Sequence, residues 1–147
     1  MLQTQIAYID ISFFAHATED EKRVLEVVKR LLPTTHQEKI VFSKSNARGH
    51  HGNPIILFES KIKEKEIVRA VVENLSSNLG GLDKETLLNE INLHVEKANL
   101  YLRFDKQAAF QGEFKLGVVD PIRFRLHFKK SKLEDIVQIC REIGILP

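Results

Sequence analysis

Residues 122–129 alternate strictly, with Ile122, Phe124, Leu126 and Phe128 on one side and Arg123, Arg125, His127 and Lys129 on the other. Successive side chains of a strand point to opposite faces, so this pattern predicts a strand with one apolar and one cationic face. Residues 99–105 repeat it, Leu100, Leu102 and Phe104 opposing Tyr101 and Arg103. Residues 5–15 place Ile9, Ile11 and Phe13 against Tyr8, Asp10, Ser12 and Phe14, which predicts a first strand with a buried face. Residues 39–44 and 54–62 read as two more strands, and the polar, glycine-bearing stretch 45–53 between them as a hairpin loop.

Between these segments the apolar period lengthens to that of a helix. Val24, Leu25, Val28, Leu31 and Leu32 form one stripe, with Thr18 and Glu21 as a capping box and Pro33 as the stop. Ile67, Val68, Val71, Val72, Leu75 and Leu79 form a second stripe, interrupted by Gly80-Gly81. Asp83 is the expected cap of a shorter third helix carrying Leu87, Leu88 and Ile91. Ser131 and Glu134 form a capping box before a last helix lined by Leu133, Ile136, Val137, Cys140 and Ile143, which ends at Gly144.

The order is not a regular β-α alternation, and strands joined by short links pair antiparallel. The expected fold is therefore α+β, a mostly antiparallel sheet with helices packed on one face. At 147 residues, with no internal repeat or long linker, one domain spanning 1–147 is expected.

Composition narrows the function classes. One cysteine, Cys140, allows no internal disulfide and no cysteine-built zinc site, which points to a reducing compartment and a cytoplasmic protein. Cys140 also falls on an apolar helical stripe, the place of a core residue and not of a nucleophile. No basic and apolar leader follows Met1 and no long uncharged apolar run occurs, so no membrane partner is expected. The net charge is only +2, but residues 103–132 hold 8 basic and 3 acidic residues, a net of +5. The charge describes a local patch rather than a polycation.

Three segments carry candidate chemistry. Arg123, Arg125, His127 and Lys129, extended by Lys130, repeat roughly every 6.6–7 Å along a strand face, close to the phosphate spacing of a nucleic-acid strand. The same pattern also suits a solvated edge whose charges oppose aggregation. Lys44, Arg48, His50, His51 and Asn53 surround two glycines that let backbone amides approach an anion, or they belong to a plain exposed loop. Tyr101 and Arg103 set an aromatic beside a cation, as stacking on an unpaired base requires, and Asp105, Lys106 and Gln107 follow at the strand end, where the first two also suit a turn cap. No H-E-x-x-H, G-x-S-x-G or GxxxxGK[ST] pattern is present, so neither catalytic residues nor a metal or cofactor are assigned.

The strings His16-Ala17-Thr18-Glu19-Asp20-Glu21, Gly49-His50-His51-Gly52-Asn53-Pro54-Ile55 and Tyr101-Leu102-Arg103-Phe104-Asp105-Lys106-Gln107-Ala108-Ala109 resemble an archaeal family of small proteins described as RNA-binding and as predicted exosome subunits. The resemblance spans about residues 6 to 130. It implies an α+β fold similar to the large-subunit ribosomal protein that contacts the small ribosomal RNA, a fold also compared with double-stranded-RNA-binding domains. It further implies a non-catalytic accessory role in RNA processing or degradation, with RNA and exosome or other RNA-processing proteins as partners. The family supplies no catalytic residues, and the basic strand of residues 123–130 stands on its alternation alone. Two rival expectations are a protein-interaction adaptor in an RNA-processing assembly and a metal-assisted nuclease.

Overall fold

A computed structural model of the chain describes residues 5–48 and 52–147. Its elements are β1 (Ile6–His16), α1 (Glu21–Lys29), β2 (Ser43–Arg48), β3 (Pro54–Ile62), α2 (Lys65–Asn78), α3 (Gly81–Asn89), α4 (Ile91–His94), β4 (Val95–Glu96), β5 (Asn99–Phe104), α5 (Lys106–Phe110), β6 (Ile122–Phe128) and α6 (Leu133–Glu142). Six strands form one sheet in the order β2-β3-β1-β6-β5-β4, and every neighbouring pair is antiparallel. The α+β class and the antiparallel sheet are as the alternation predicts.

The alternation sorts residues between two faces. Ile9, Ile11 and Phe13 of β1, Leu100, Leu102 and Phe104 of β5, and Ile122, Phe124, Leu126 and Phe128 of β6 are all buried. They meet Val24, Val27 and Val28 of α1, Val68, Val71, Val72 and Leu75 of α2, and Ile136 and Cys140 of α6 in one continuous core. Rings interlock there: Phe13 stacks on Phe58 at 4.9 Å, and Phe104 meets Phe124 edge-on at 5.4 Å. The helices gather over this face and leave the other face of the sheet open. A register irregularity between Ile6 and Tyr8 adds a residue to β1, so that Ile6 and Ile9 both turn into the core and Tyr8 lies opposite His127.

Local details differ from the sequence expectation where tertiary partners compete. Asp20, not Thr18, caps α1 by accepting from the Lys22 amide at 3.1 Å, and Glu19 turns back to accept from the His16 amide at 3.0 Å. Asp83 lies inside α3 and accepts from the Leu116 amide at 3.0 Å, tying the helix to the segment before β6. The first strand of the hairpin is Ser43–Arg48, not residues 39–44, and residues 45–48 belong to it rather than to the loop. As an edge strand β2 buries neither face fully, so its sequence needs no apolar alternation. After α6, Gly144 takes φ 87°, and the Ile145 and Leu146 amides both return to the Cys140 carbonyl. Among the described residues no helix is long and apolar enough to cross a membrane.

Candidate nucleic-acid interface

The cross-strand register assembles the open face. Tyr8, Asp10 and Ser12 of β1 stand opposite His127, Arg125 and Arg123 of β6. Asn99, Tyr101 and Arg103 of β5 oppose the same His127, Arg125 and Arg123 from the other side. Asp10 and Ser12 also face Lys61 and Glu59 of β3. Tyr101, Arg103, Arg123, Arg125 and His127 thus form one surface, as their strand parity predicts, and Tyr8 and Lys61 join them.

Two tyrosines organise the cations. Arg103 and Arg123 pack against the Tyr101 ring, with 5.1 and 5.5 Å from guanidinium carbon to ring centre. Lys61 and Arg125 lie over Tyr8 at 4.5 and 5.8 Å, and His127 stacks on it at 4.6 Å. His127 is further oriented by a 2.7 Å hydrogen bond between Nδ1 and Asn99 Oδ1, whose oxygen can only accept, so Nδ1 donates. Arg125 pairs with Asp10 across the strands. Partial burial alone would lower the Arg125 pKa, but the hydrogen bond and charge of Asp10, helped by Tyr101, raise it above the ordinary value, and the group stays cationic.

Arg103 and Arg123 differ from Arg125. They stand directly opposite one another, and among the described residues neither has a carboxylate within salt-bridge distance. Like charges directly opposed across strands destabilise a sheet by up to about 1 kcal/mol. An anion laid between the two removes that cost.

The other expected residues lie elsewhere. Lys44 has the parity of buried Phe58, its strand partner, and so belongs to the helix-bearing side, where its Nζ donates to Glu21 of α1 at 2.7 Å. Arg48 shares that parity, and its guanidinium donates to the Gly52 carbonyl at 3.2 Å. Asn53 is exposed at the hairpin, and His50 and His51 lie outside the described residues. The hairpin cations therefore do not share a surface with Arg123 and Arg125. Lys129 and Lys130 are exposed just past the end of β6, and Gln107 is exposed on α5.

Lys106, expected among the RNA contacts, is instead 2% exposed. Its ammonium donates to the Phe14 carbonyl at 2.7 Å, to Asp120 at 2.7 Å and to Glu19 at 3.2 Å. A buried charge is tolerated only when its hydrogen bonds are met, and these three meet them, so no direct contact with RNA is left to it. Asp105 caps α5 by accepting from the Ala108 amide at 3.0 Å. His16, Glu19 and Asp120 bring ligand atoms within 4.8 Å of one another, but the Lys106 ammonium already bridges the two carboxylates, and a metal ion would have to displace it.

A family model described as RNA binding matches residues 8–128. The chain belongs to that family. The matched span runs from Tyr8, two residues into β1, through the other five strands and ends at the last residue of β6. Among similar proteins, the RNA-binding protein PAB1135 of Pyrococcus abyssi is 37% identical over 139 residues, covering 91% of this chain and 90% of the relative. MJ0213 of Methanocaldococcus jannaschii is 32% identical over 146 residues, covering 92% and 97%. The crystal structure of AF2318 from Archaeoglobus fulgidus superposes with a TM-score of 0.81 at 30% identity, covering 94% of this chain and 99% of that one.

Proposed function

We propose that this chain is a non-catalytic RNA-binding protein that holds single-stranded RNA across the open face of its sheet. The opposed pair Arg103 and Arg123 carries this reading: among the described residues neither guanidinium has a carboxylate partner, and the two share one tyrosine ring. Retaining a like-charge pair costs stability, and an anionic ligand is what makes use of it. Phosphates would draw Arg103, Arg123 and Lys61 off the tyrosine rings they cover, and a base stacking on a ring so uncovered gains about 1–3 kcal/mol. Flat rings on a sheet favour unpaired bases, whose faces a duplex hides. The relative named as an RNA-binding protein and the matching family description support the same reading.

Titration of labelled single-stranded and hairpin RNA over a range of salt tests it. Saturable binding that favours the single strand and weakens with salt is expected, with a log-log slope of about −0.7 per phosphate contact. Absence of saturable binding at low salt would refute it. A role in RNA processing or degradation, in association with the exosome, is a finer reading supported by the resemblance of the three residue strings, as is the likeness to the ribosomal protein. Recovery of exosome subunits with the tagged protein from its native cells, resistant to ribonuclease, is the corresponding test.

A further inference from the structure

Next to the cation and ring surface, the open face holds a cleft whose apolar end phosphate contacts do not use. It measures about 350 Å³ and is walled by the apolar side chains of Phe14, Leu57 and Pro121. Phe14 is 40% exposed, although its neighbours Phe13 and Ala15 on the same strand are buried, and Leu57 stands opposite it on β3. A large ring left open between an aliphatic side chain and a proline suits a planar apolar body sliding in beside it.

One edge of the cleft is polar and is shared with a second cleft. Ser12, Glu59 and Arg123 line both, and the second, about 400 Å³, adds the cations Lys61 and Arg125. A nucleotide spanning the two would lay its phosphate among the cations and its base against Phe14. This arrangement follows the usual division in which phosphate contacts position and base contacts specify.

The polar edge also discriminates among bases. Glu59 is exposed, and among the described residues it has no ion-pair partner. Asp120, the other carboxylate at the cleft, is occupied by Lys106 at 2.7 Å and His16 at 3.1 Å. Glu59 is thus the available acceptor, and an ionised carboxylate only accepts. Uracil offers it one N–H flanked by two repelling carbonyls, while adenine and cytosine offer one amino group beside an unprotonated ring nitrogen. Guanine presents a ring N–H and an amino group side by side, two donors matched to two carboxylate oxygens. Glu59 and Arg123 flank Ser12 on adjacent strands, so their backbones lie about 9.5 Å apart, a span that one nucleotide can bridge with its base at Glu59 and its phosphate at Arg123.

We propose that this cleft seats a guanine base of single-stranded RNA, held by Glu59 on its donor edge and by Phe14 against its face, with Arg123 left to the neighbouring phosphate. The proposal rests on the open face being the RNA-binding surface and adds a base preference to it. The test is anisotropy titration with four uridine heptamers that differ only in the central base, A, C, G or U, and a fifth carrying inosine, which lacks the amino group. The guanine oligomer should bind roughly fivefold to 100-fold tighter than the uridine one, with inosine well below guanine. In Glu59→Gln, with an unchanged circular dichroism spectrum, the guanine-to-uridine ratio should collapse toward one. Equal, saturable and salt-sensitive binding of all five would overturn the guanine site and leave the RNA surface standing. A guanine preference that survives Glu59→Gln would overturn it too, and no binding of any oligomer would remove the surface and the cleft together.

Discussion

Arg123→Glu should make the protein more stable and bind RNA less well. In the native chain Arg123 faces Arg103 directly, with Ser12 on its other side, and among the described residues no carboxylate lies within salt-bridge distance of the pair. Reversing one charge replaces a repulsion by a cross-strand ion pair. Each such term is worth about 0.2–1 kcal/mol, and because Arg123 is exposed and screened by salt, a net gain of about 1 kcal/mol is expected at low ionic strength, fading as salt rises. The same change removes one phosphate contact, so the log-log salt slope of RNA binding should shrink by about 0.7. The chain has no tryptophan, so urea unfolding is best followed by circular dichroism, and RNA binding by anisotropy of a labelled strand. A variant that is destabilised while its RNA affinity is unchanged would show that the two arginines are not held apart for an anion.

Phe124→Ala removes a fully buried ring packed edge-on against Phe104 and should cost about 3–5 kcal/mol in urea unfolding. Lys106→Met leaves Glu19 and Asp120 without their shared cation and should cost about 3 kcal/mol, the low end for a broken buried pair because Asp120 is partly exposed. Burial pushes the Cys140 thiol up to about 12, so it should react with a thiol reagent at pH 8 only after unfolding. The same shift makes stability complete below about pH 9 and progressively lost from there toward pH 12, because the unfolded chain releases the proton first, and a pH series of unfolding curves in Cys140→Ala should lack that part of the decline.

Strands with one buried face were legible because burial itself writes the period of two. Residues 99–104 and 122–128 each carry it without a break, and their outward cations could be assigned to a face before any partner was known. Strand β2 was misplaced for the converse reason: Ser43–Arg48 is almost wholly exposed, and its place comes from pairing with β3, which leaves no apolar pattern to read. Tyr8 and Lys61 were missed as site residues because they join the arginines only through register, and a bulge before Tyr8 sets part of that register. Lys106 looked like an available cation. Its partners Glu19 and Asp120 lie 87 and 14 positions away, and burial of a charge by such distant groups leaves no local mark.

RNA is expected to meet the open face of the sheet. Nuclear magnetic resonance titration of the labelled protein with a short single-stranded RNA addresses it most directly, since each strand residue reports separately. Shifts concentrated on Tyr8, Lys61, Tyr101, Arg103, Arg123 and His127, saturating together and reversed by salt, are the predicted result. Shifts confined to the helix-bearing side or to the hairpin cations Lys44 and Arg48, with the tyrosines of the open face unmoved, would contradict it.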